Sequence, residues 1–359
     1  MSPLRRHLLT ALAAAPLGAR ADDDPVRRGR PLVFPRDHGA HTGARTEWWY
    51  ATGWAGTPES PRLGWQVTFF RSRTGLATQL PGRLAPRQLL FAHAAVTDLA
   101  GRRHLHAERL TRWNGEADDG AAGASRSDTR VWIGDWRLQR DATGYRTRVG
   151  GEGWSLDLAL APTQPLLLQG DAGFSRKGPE ERQASHYYSL PQLQVGGQAR
   201  WPGQALDASG RAWLDHEWSD EILATDAVGW DWAGINLFDG SALTAFRLRR
   251  ADGTALWAGG SHRGAAGAAR LFALDGVQWQ PLRRWRSPAT AADYPVEWEL
   301  ATPAGRWRLR ALLDAQELDG RAGTGTVYWE GVSELLDESG HRVGLGYLEM
   351  TGYAGRLRL

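Results

Sequence analysis

The stretch Thr46-Glu47-Trp48-Trp49-Tyr50-Ala51-Thr52-Gly53-Trp54 packs three tryptophans and a tyrosine into seven positions behind one carboxylate. Tryptophan is large and apolar, carries a single donor, and has the ring best suited to holding a cation. Its clustering beside an acid has two readings: a greasy ligand cavity, or the plugged end of a β-barrel. The same character returns at Gly229-Trp230-Asp231-Trp232-Ala233-Gly234-Ile235. Each stretch is followed by an apolar strand ending in arginine, at residues 64–71 and 242–247. A repeat at about half the chain length predicts two similar domains rather than one large barrel. The predicted division is 39–200 and 201–359, with the join near 195–212. There Gly196-Gly197 and Trp201-Pro202-Gly203 interrupt the strands.

The rest of the chain is a succession of short alternating or apolar runs, among them 63–73, 88–98, 130–139, 154–160, 211–218, 296–302 and 306–313. Glycine turns such as Asp239-Gly240 and Ala251-Asp252-Gly253 set them apart. Short strands spaced in this way predict an all-β fold, barrel or sandwich. The segment 315–318 is the best short helix candidate.

The 359 residues, 42% hydrophobic with 19 tryptophans, suffice for real cores. There is no cysteine, which excludes disulfide and thiolate chemistry. A metal site would have to draw on histidine and carboxylate, and no metal or other cofactor is predicted. Residues 1–21 read as an export signal: Arg5-Arg6, an apolar run over 8–17 too short to span a bilayer, and the Ala19-Arg20-Ala21 cleavage site. Arg5-Arg6-His7-Leu8-Leu9 fits a twin-arginine signal and a general secretory one alike. Cleavage near Ala21 would leave a periplasmic or secreted protein with no transmembrane segment, tethered by the charged, proline-rich residues 22–38. It would also remove three arginines and no acid, taking the formal charge from +3 to zero. Nucleic acid is therefore not a predicted partner.

In Trp213-Leu214-Asp215-His216-Glu217-Trp218, strand alternation puts Leu214, His216 and Trp218 on one face and Trp213, Asp215 and Glu217 on the other. His216 is either a functional group in a barrel or a core histidine. Asp231 alternates with Ala233, Ile235 and Leu237. An acid on an aliphatic face is either protonated, and then a proton donor, or paired with one of the many arginines. Glu47 carries the same ambiguity. Ala184-Ser185-His186-Tyr187-Tyr188-Ser189 offers a serine, a histidine and two phenols, but no Gly-x-Ser-x-Gly turn accompanies them. Lys177, the sole lysine, lies in the loop-like Ser175-Arg176-Lys177-Gly178-Pro179, which argues against Schiff-base chemistry.

Taken jointly, several motifs resemble the lipocalin-like family of carotenoid 1,2-hydratase (hydroxyneurosporene synthase) and the AttH-type exported proteins, often labelled secreted hydrolases. They are Glu47-Trp48-Trp49-Tyr50, Phe91-Ala92-His93, Ser185-His186-Tyr187-Tyr188-Ser189, Trp213 to Trp218, Gly229-Trp230-Asp231-Trp232, Tyr328-Trp329-Glu330-Gly331 and Gly346 to Tyr353. The resemblance covers about residues 38–353. It implies two tandem lipocalin/calycin-like β-barrel domains, no cofactor, and an ABC-type lipoprotein-export transporter as partner. The hydratase branch adds water across a terminal isoprenoid double bond. Its His-x-Trp pair is matched by His216-Glu217-Trp218, but its Tyr and Asp on a following strand are not matched in Ala245-Phe246-Arg247-Leu248.

Three functions follow as expectations. The first is an exported AttH-type protein binding an apolar, isoprenoid or acyl ligand inside a barrel. The second is a hydratase or hydrolase on such a ligand, with His216, Trp218, Asp215 and Asp231 as catalytic candidates. The third is a structural accessory to a transporter. The ligand-binding candidates are Glu47, Trp48, Trp49, Tyr50, His93, His186, Tyr187, Trp230 and Trp232. His216 and one acid are expected to face a shared polar point in an apolar cavity.

Overall fold

A computed structural model describes residues 25–75, 87–115, 120–321, 323 and 325–357. The export signal expected over 1–21 lies outside them. Among the described residues there are 24 strands, two short 3-10 turns and no α-helix. The first sheet takes β1 (Thr46–Gly56), β2 (Pro61–Arg73), β3 (Gln88–Asp98), β4 (Arg103–Trp113), β5 (Ala122–Ala124), β6 (Arg130–Ile133), β7 (Trp136–Asp141), β8 (Gly144–Gly151), β9 (Trp154–Ala161), β10 (Leu167–Leu168), β11 (Phe174–Arg176), β12 (Ala184–Trp201), β13 (Gln204–Asp207) and β14 (Gly210–Ser219). The second takes β15 (Gly229–Leu237), β16 (Ala242–Arg249), β17 (Ala255–Arg263), β18 (Ala269–Phe272), β19 (Gln278–Arg286), β20 (Asp293–Thr302), β21 (Gly305–Ala311), β22 (Glu317–Asp319), β23 (Val327–Leu336) and β24 (Arg342–Thr351).

Both sheets are curled antiparallel meanders, and β4 comes round against β5, β6 and β8. The order β4-β3-β2-β1-β14-β12-β9-β8-β7 in the first corresponds strand for strand to β18-β17-β16-β15-β24-β23-β21-β20-β19 in the second. The molecule is two tandem lipocalin-like barrels, the architecture that the repeated Trp-rich strand predicted. Three expectations need correction. The tether expected over 22–38 is, from residue 25 on, packed against the first barrel: Leu32 and Phe34 lie on its core, and Asp37 and His38 are buried in a 3-10 turn. The strand at 210–219 returns to pair with β1, so the change of sheet falls in 220–228 and not near 195–212. The segment 315–318 is not helical, and Glu317–Asp319 forms β22 beside β23.

Burial explains the two kinds of strand. β9 reads buried-exposed in near-perfect alternation, as expected for one solvated face. By contrast, β1, β14, β15 and β23 are buried on both faces almost throughout. One face of each fills its own barrel, and the other packs against the second barrel. The apolar interior accordingly divides into a core for each barrel and a third between them, built on Tyr50, Trp54, Trp213, Trp232, Phe246, Val332 and Tyr347. Gly64 on β2 permits that contact: a Cβ there would lie 2.6 Å from Val332 Cγ1 and 3.0 Å from Tyr347 Oη.

Candidate functional site

The residues expected to act together fall in three separate places. Inside the first barrel, alternation along β1 and β14 points Glu47, Trp49, His216 and Trp218 inward. Glu47 accepts from the Arg71 Nε at 2.8 Å and meets His41 Nδ1 at 2.8 Å and His216 Nε2 at 2.9 Å. His216 Nδ1 reaches Tyr188 Oη at 3.0 Å, and its ring stacks on Trp49. Trp218 stacks on His41, with His186 tilted beside it. Burial would raise the Glu47 pKa, but Arg71 and His41 outweigh it and hold the carboxyl well below the usual range. Burial depresses His216 despite its bond to Glu47. His41, Glu47 and His216 bring one donor atom each within 4.8 Å of one another, a set that in geometry alone could hold a metal. Each donor atom is already engaged, and Arg71 puts positive charge against the same carboxylate. The cluster is an ion network that plugs the barrel end.

Inside the second barrel, Asp231 alternates with Ala233, Ile235 and Leu237 as expected and is paired. Arg247 Nε lies at 2.7 Å, Arg249 Nε at 3.1 Å, and Tyr353 Oη donates at 2.9 Å. Asp231 is therefore a structural counter-ion and faces no cavity shared with His216. Asp231→Asn is expected to leave two nearly buried guanidiniums without their counter-charge. It should cost about 3–5 kcal/mol in urea unfolding and leave ligand binding elsewhere unchanged.

The third place is the seam between the barrels, where the outward faces of β1, β2, β3 and β14 meet those of β15, β23 and β24. It encloses a cavity of about 250 Å³ lined by Trp48, Tyr50, Phe70, Phe91, His93, Asp215, Glu217, Trp230, Trp232, Tyr328, Glu330 and Glu349, with the Glu47–Arg71 ion pair at its border. The expected location inside a barrel is thus corrected: both interiors are filled by side chains, and the open space lies between them. Asp215 accepts from Tyr187 Oη, Ser189 Oγ and Trp213 Nε1, each at 2.6 Å. Trp232 Nε1 donates to the same Tyr187 oxygen at 3.2 Å. Burial wins over these donors and pushes Asp215 up to about 7. Burial, with the charges of Asp215 and Glu217, pushes Glu349 up to about 8. Burial and Glu349 together raise Glu330 well above the carboxylate range. Burial lowers His93 to about 4, and its Nδ1 contacts Tyr328 Oη at 2.7 Å. Near neutral pH, then, Glu330 and Glu349 hold their protons and Asp215 is poised between its two forms, beside neutral phenols, a neutral imidazole and the Lys177-paired Glu217.

Of the sequence candidates, Asp215, Trp48, Tyr50, His93, Trp230 and Trp232 line this cavity, Glu47 reaches its border, and Tyr187 stands behind Asp215. His216, Trp218, Trp49 and His186 do not line it. The strand after Asp239-Gly240 carries no Tyr–Asp pair, and the Tyr–Asp pair at this cavity is Tyr187 of β12 donating to Asp215 of β14. Glu330 and Glu349 were not read as site residues. The signal was present, since each is an acid on the same alternating face as a tyrosine: Tyr328 with Glu330, and Tyr347 with Glu349. Lys177 is in a loop but not exposed; it is buried, with Nζ 2.9 Å from Glu217 Oε1.

Fold and site define a tandem lipocalin-like protein with an acid-bearing aromatic cavity between its barrels. The chain belongs to the AttH-like family, whose sequence profile matches residues 25–353. A crystal structure described as an AttH from Nitrosomonas europaea is 45% identical, with a TM-score of 0.83 over 92% of this chain and 99% of that one. Kievitone hydratase from Nectria haematococca shares the fold at 15% identity, with a TM-score of 0.67 over 93% of this chain and 97% of that one. No curated protein sequence matches the chain.

Proposed function

We propose that the protein is a cofactor-independent hydro-lyase that adds water to an electron-rich double bond of an apolar, isoprenoid-like ligand held between the barrels. The observation that carries this reading is Asp215: a buried carboxyl with no basic partner, poised near 7, on the wall of an apolar cavity. A general acid works best with a pKa near the operating pH. Asp215 protonates the less substituted carbon, and the π electrons form the new C–H bond. The tertiary cation left behind faces Trp48, Trp230 and Trp232, whose ring faces attract positive charge. Water adds to it and returns one proton to the Asp215 carboxylate, so the sum is alkene plus water to tertiary alcohol. Tyr187, Ser189 and Trp213 hold the carboxyl in place.

The cavity is below the roughly 300–1,000 Å³ of sites for drug-sized ligands. The reading is therefore a short isoprenoid, or one end group of a longer one. It also places the protein outside the cytoplasm, after the export signal read over residues 1–21, beside the ABC-type exporter that the family resemblance implies.

The test is incubation with terminal isoprenoid alkenes in isotope-labelled water, with the product read by mass spectrometry. Wild type should gain one labelled water, and Asp215→Asn should be slower by about 10²–10⁴-fold with folding intact. Saturable quenching of tryptophan fluorescence by the same alkenes without any hydrated product would sink the hydro-lyase and leave an apolar-ligand carrier.

A further inference from the structure

The acids of the inter-barrel cavity differ from the buried acids elsewhere. Glu47 is paired with Arg71, Asp231 with Arg247 and Arg249, and Glu334 with Arg310 and Arg342. Glu217 takes the chain's sole lysine. Among the described residues, Glu330 and Glu349 have no such base, and they are direct cross-strand partners in the β23–β24 ladder. Like charges directly opposite on neighbouring strands destabilise a sheet. Two acids so placed in an aromatic wall must hold protons or share a cation.

A second observation points to a ligand. Glu330 Oε1 and Tyr50 Oη are buried on the cavity wall and face one another, with Gln66 beside them, but without hydrogen-bond geometry between them. Buried polar atoms are normally satisfied, so this phenol and carboxyl, adjacent but not bonded with good geometry, leave capacity that a bound molecule would use. The walls beside them are the rings of Trp48, Trp230, Trp232 and Phe70. In a small annex behind the same tryptophans the protein already solves the equivalent problem. There the Lys177 ammonium sits against Glu217, 4.2 Å from the Phe246 ring centroid and 4.7 Å from that of Tyr187.

We infer that Glu330 and Glu349 form a subsite for an organic cation, an ammonium group on an apolar or aromatic body that fills the rest of the cavity. This rests on the inter-barrel cavity being the ligand site, as the proposed function does, but it does not require turnover. The same subsite would hold the positive charge of a hydration intermediate. The titratable groups facing the pair are Asp215 and Glu217 from β14, Tyr50 from β1, Tyr328 and Tyr347 from the pair's own strands, and His93 through Tyr328. Of the cations nearby, Arg71 at the cavity border is held by Glu47 and Lys177 by Glu217, so neither neutralises the pair. A cation must therefore displace a proton from the pair, and its affinity must rise with pH.

The experiment uses the exported full chain with benzyltrimethylammonium and its uncharged carbon isostere, neopentylbenzene. Binding is followed by tryptophan fluorescence, and for the cation also by calorimetry in two buffers of different ionisation enthalpy. The cation should bind at least about tenfold more tightly than the isostere. It should release close to one proton near pH 7 and bind more tightly at pH 8 than at pH 6. Glu349→Gln and Glu330→Gln mimic the protonated acids, so they should fold and lose both the preference and the proton release. Equal affinity for the isostere, or cation binding without proton release in wild type, overturns the subsite. Alkene hydration without cation preference would do so while sparing the hydro-lyase, and cation binding without hydration would do the reverse.

Discussion

Arg71→Met is expected to remove about 3–5 kcal/mol of folding stability, among the largest losses any single substitution in this chain should produce. Arg71 is fully buried, and its guanidinium spends every face. It donates to Glu47 Oε2 at 2.8 Å, Gln88 Oε1 at 2.7 Å, and the carbonyls of His41 and Ala44 at 2.8 and 3.0 Å. Methionine matches the stem but leaves Glu47 buried without its guanidinium, held only by two imidazoles and the His41 backbone N–H. It also takes a donor from the Ala44 carbonyl and from Gln88 Oε1 at the barrel end, while the His41 carbonyl keeps the Ala44 N–H. The loss should be non-additive. In the double variant Arg71→Met with Glu47→Leu, the stranded charge is gone, and part of the stability should return. Urea unfolding followed by tryptophan fluorescence measures both. A midpoint unmoved by Arg71→Met would mean that the network does not hold the barrel end together. A double variant as unstable as the sum of the two single ones would mean that the guanidinium and Glu47 act independently.

The fold was legible because its signals are local. Turn residues mark the hairpins, and period-two alternation placed Leu214, His216 and Trp218 on one face and Asp215 and Glu217 on the other, as they stand. The repeated Trp-rich strand gave the tandem architecture because it is the strand of each barrel that faces the other barrel. The choice of working face was not legible. Both faces of β14 are buried, one in the barrel and one in the seam, and alternation is blind to which holds space. His216 seemed functional, yet its partner Glu47 stands across the β1–β14 ladder, 169 residues earlier in the chain. Asp231 was within reach of the sequence: the Asp239-Gly240 hairpin puts Arg247 directly opposite it. The same reasoning sets Glu330 opposite Glu349 across the hairpin that joins β23 to β24. The domain join was misplaced because the last strand of a closed meander pairs with the first. That makes 210–219 part of the first barrel, although a glycine-rich interruption precedes it.

Above pH 6.5 the protein should become less stable as pH rises, with a fall of about 2 kcal/mol between pH 7 and 8.5. Asp215 titrates near 7 and Glu349 near 8 in the folded chain, against ordinary values of 3.8 and 4.5. Raised values mean that the folded state holds protons the unfolded chain has shed. Their contribution is complete at low pH and is lost as pH climbs through the folded values. The buried histidines act in the opposite sense. Burial lowers His93 and His186 to about 4 and His38 and His104 to about 3, below the ordinary 6.5. They therefore add stability as pH rises toward 6.5 and nothing beyond it. The two trends meet in a maximum near pH 6 to 6.5, and the falling limb above it belongs to the cavity carboxyls alone. Asp215→Asn keeps the shape of the neutral acid and has no charge to bury, so it should lose the Asp215 share of the fall, most of which comes below pH 7, and be the more stable protein at pH 8.5; the limb above 7 is then left to Glu349 and Glu330. Urea midpoints of both chains from pH 5 to 9 decide it. A variant that runs parallel to wild type from pH 5 to 7 and is no more stable at pH 8.5 would mean that Asp215 does not hold its proton in the folded chain. A carboxylate without its proton cannot start the hydration, so the same curve that measures stability also tests the chemistry assigned to this side chain.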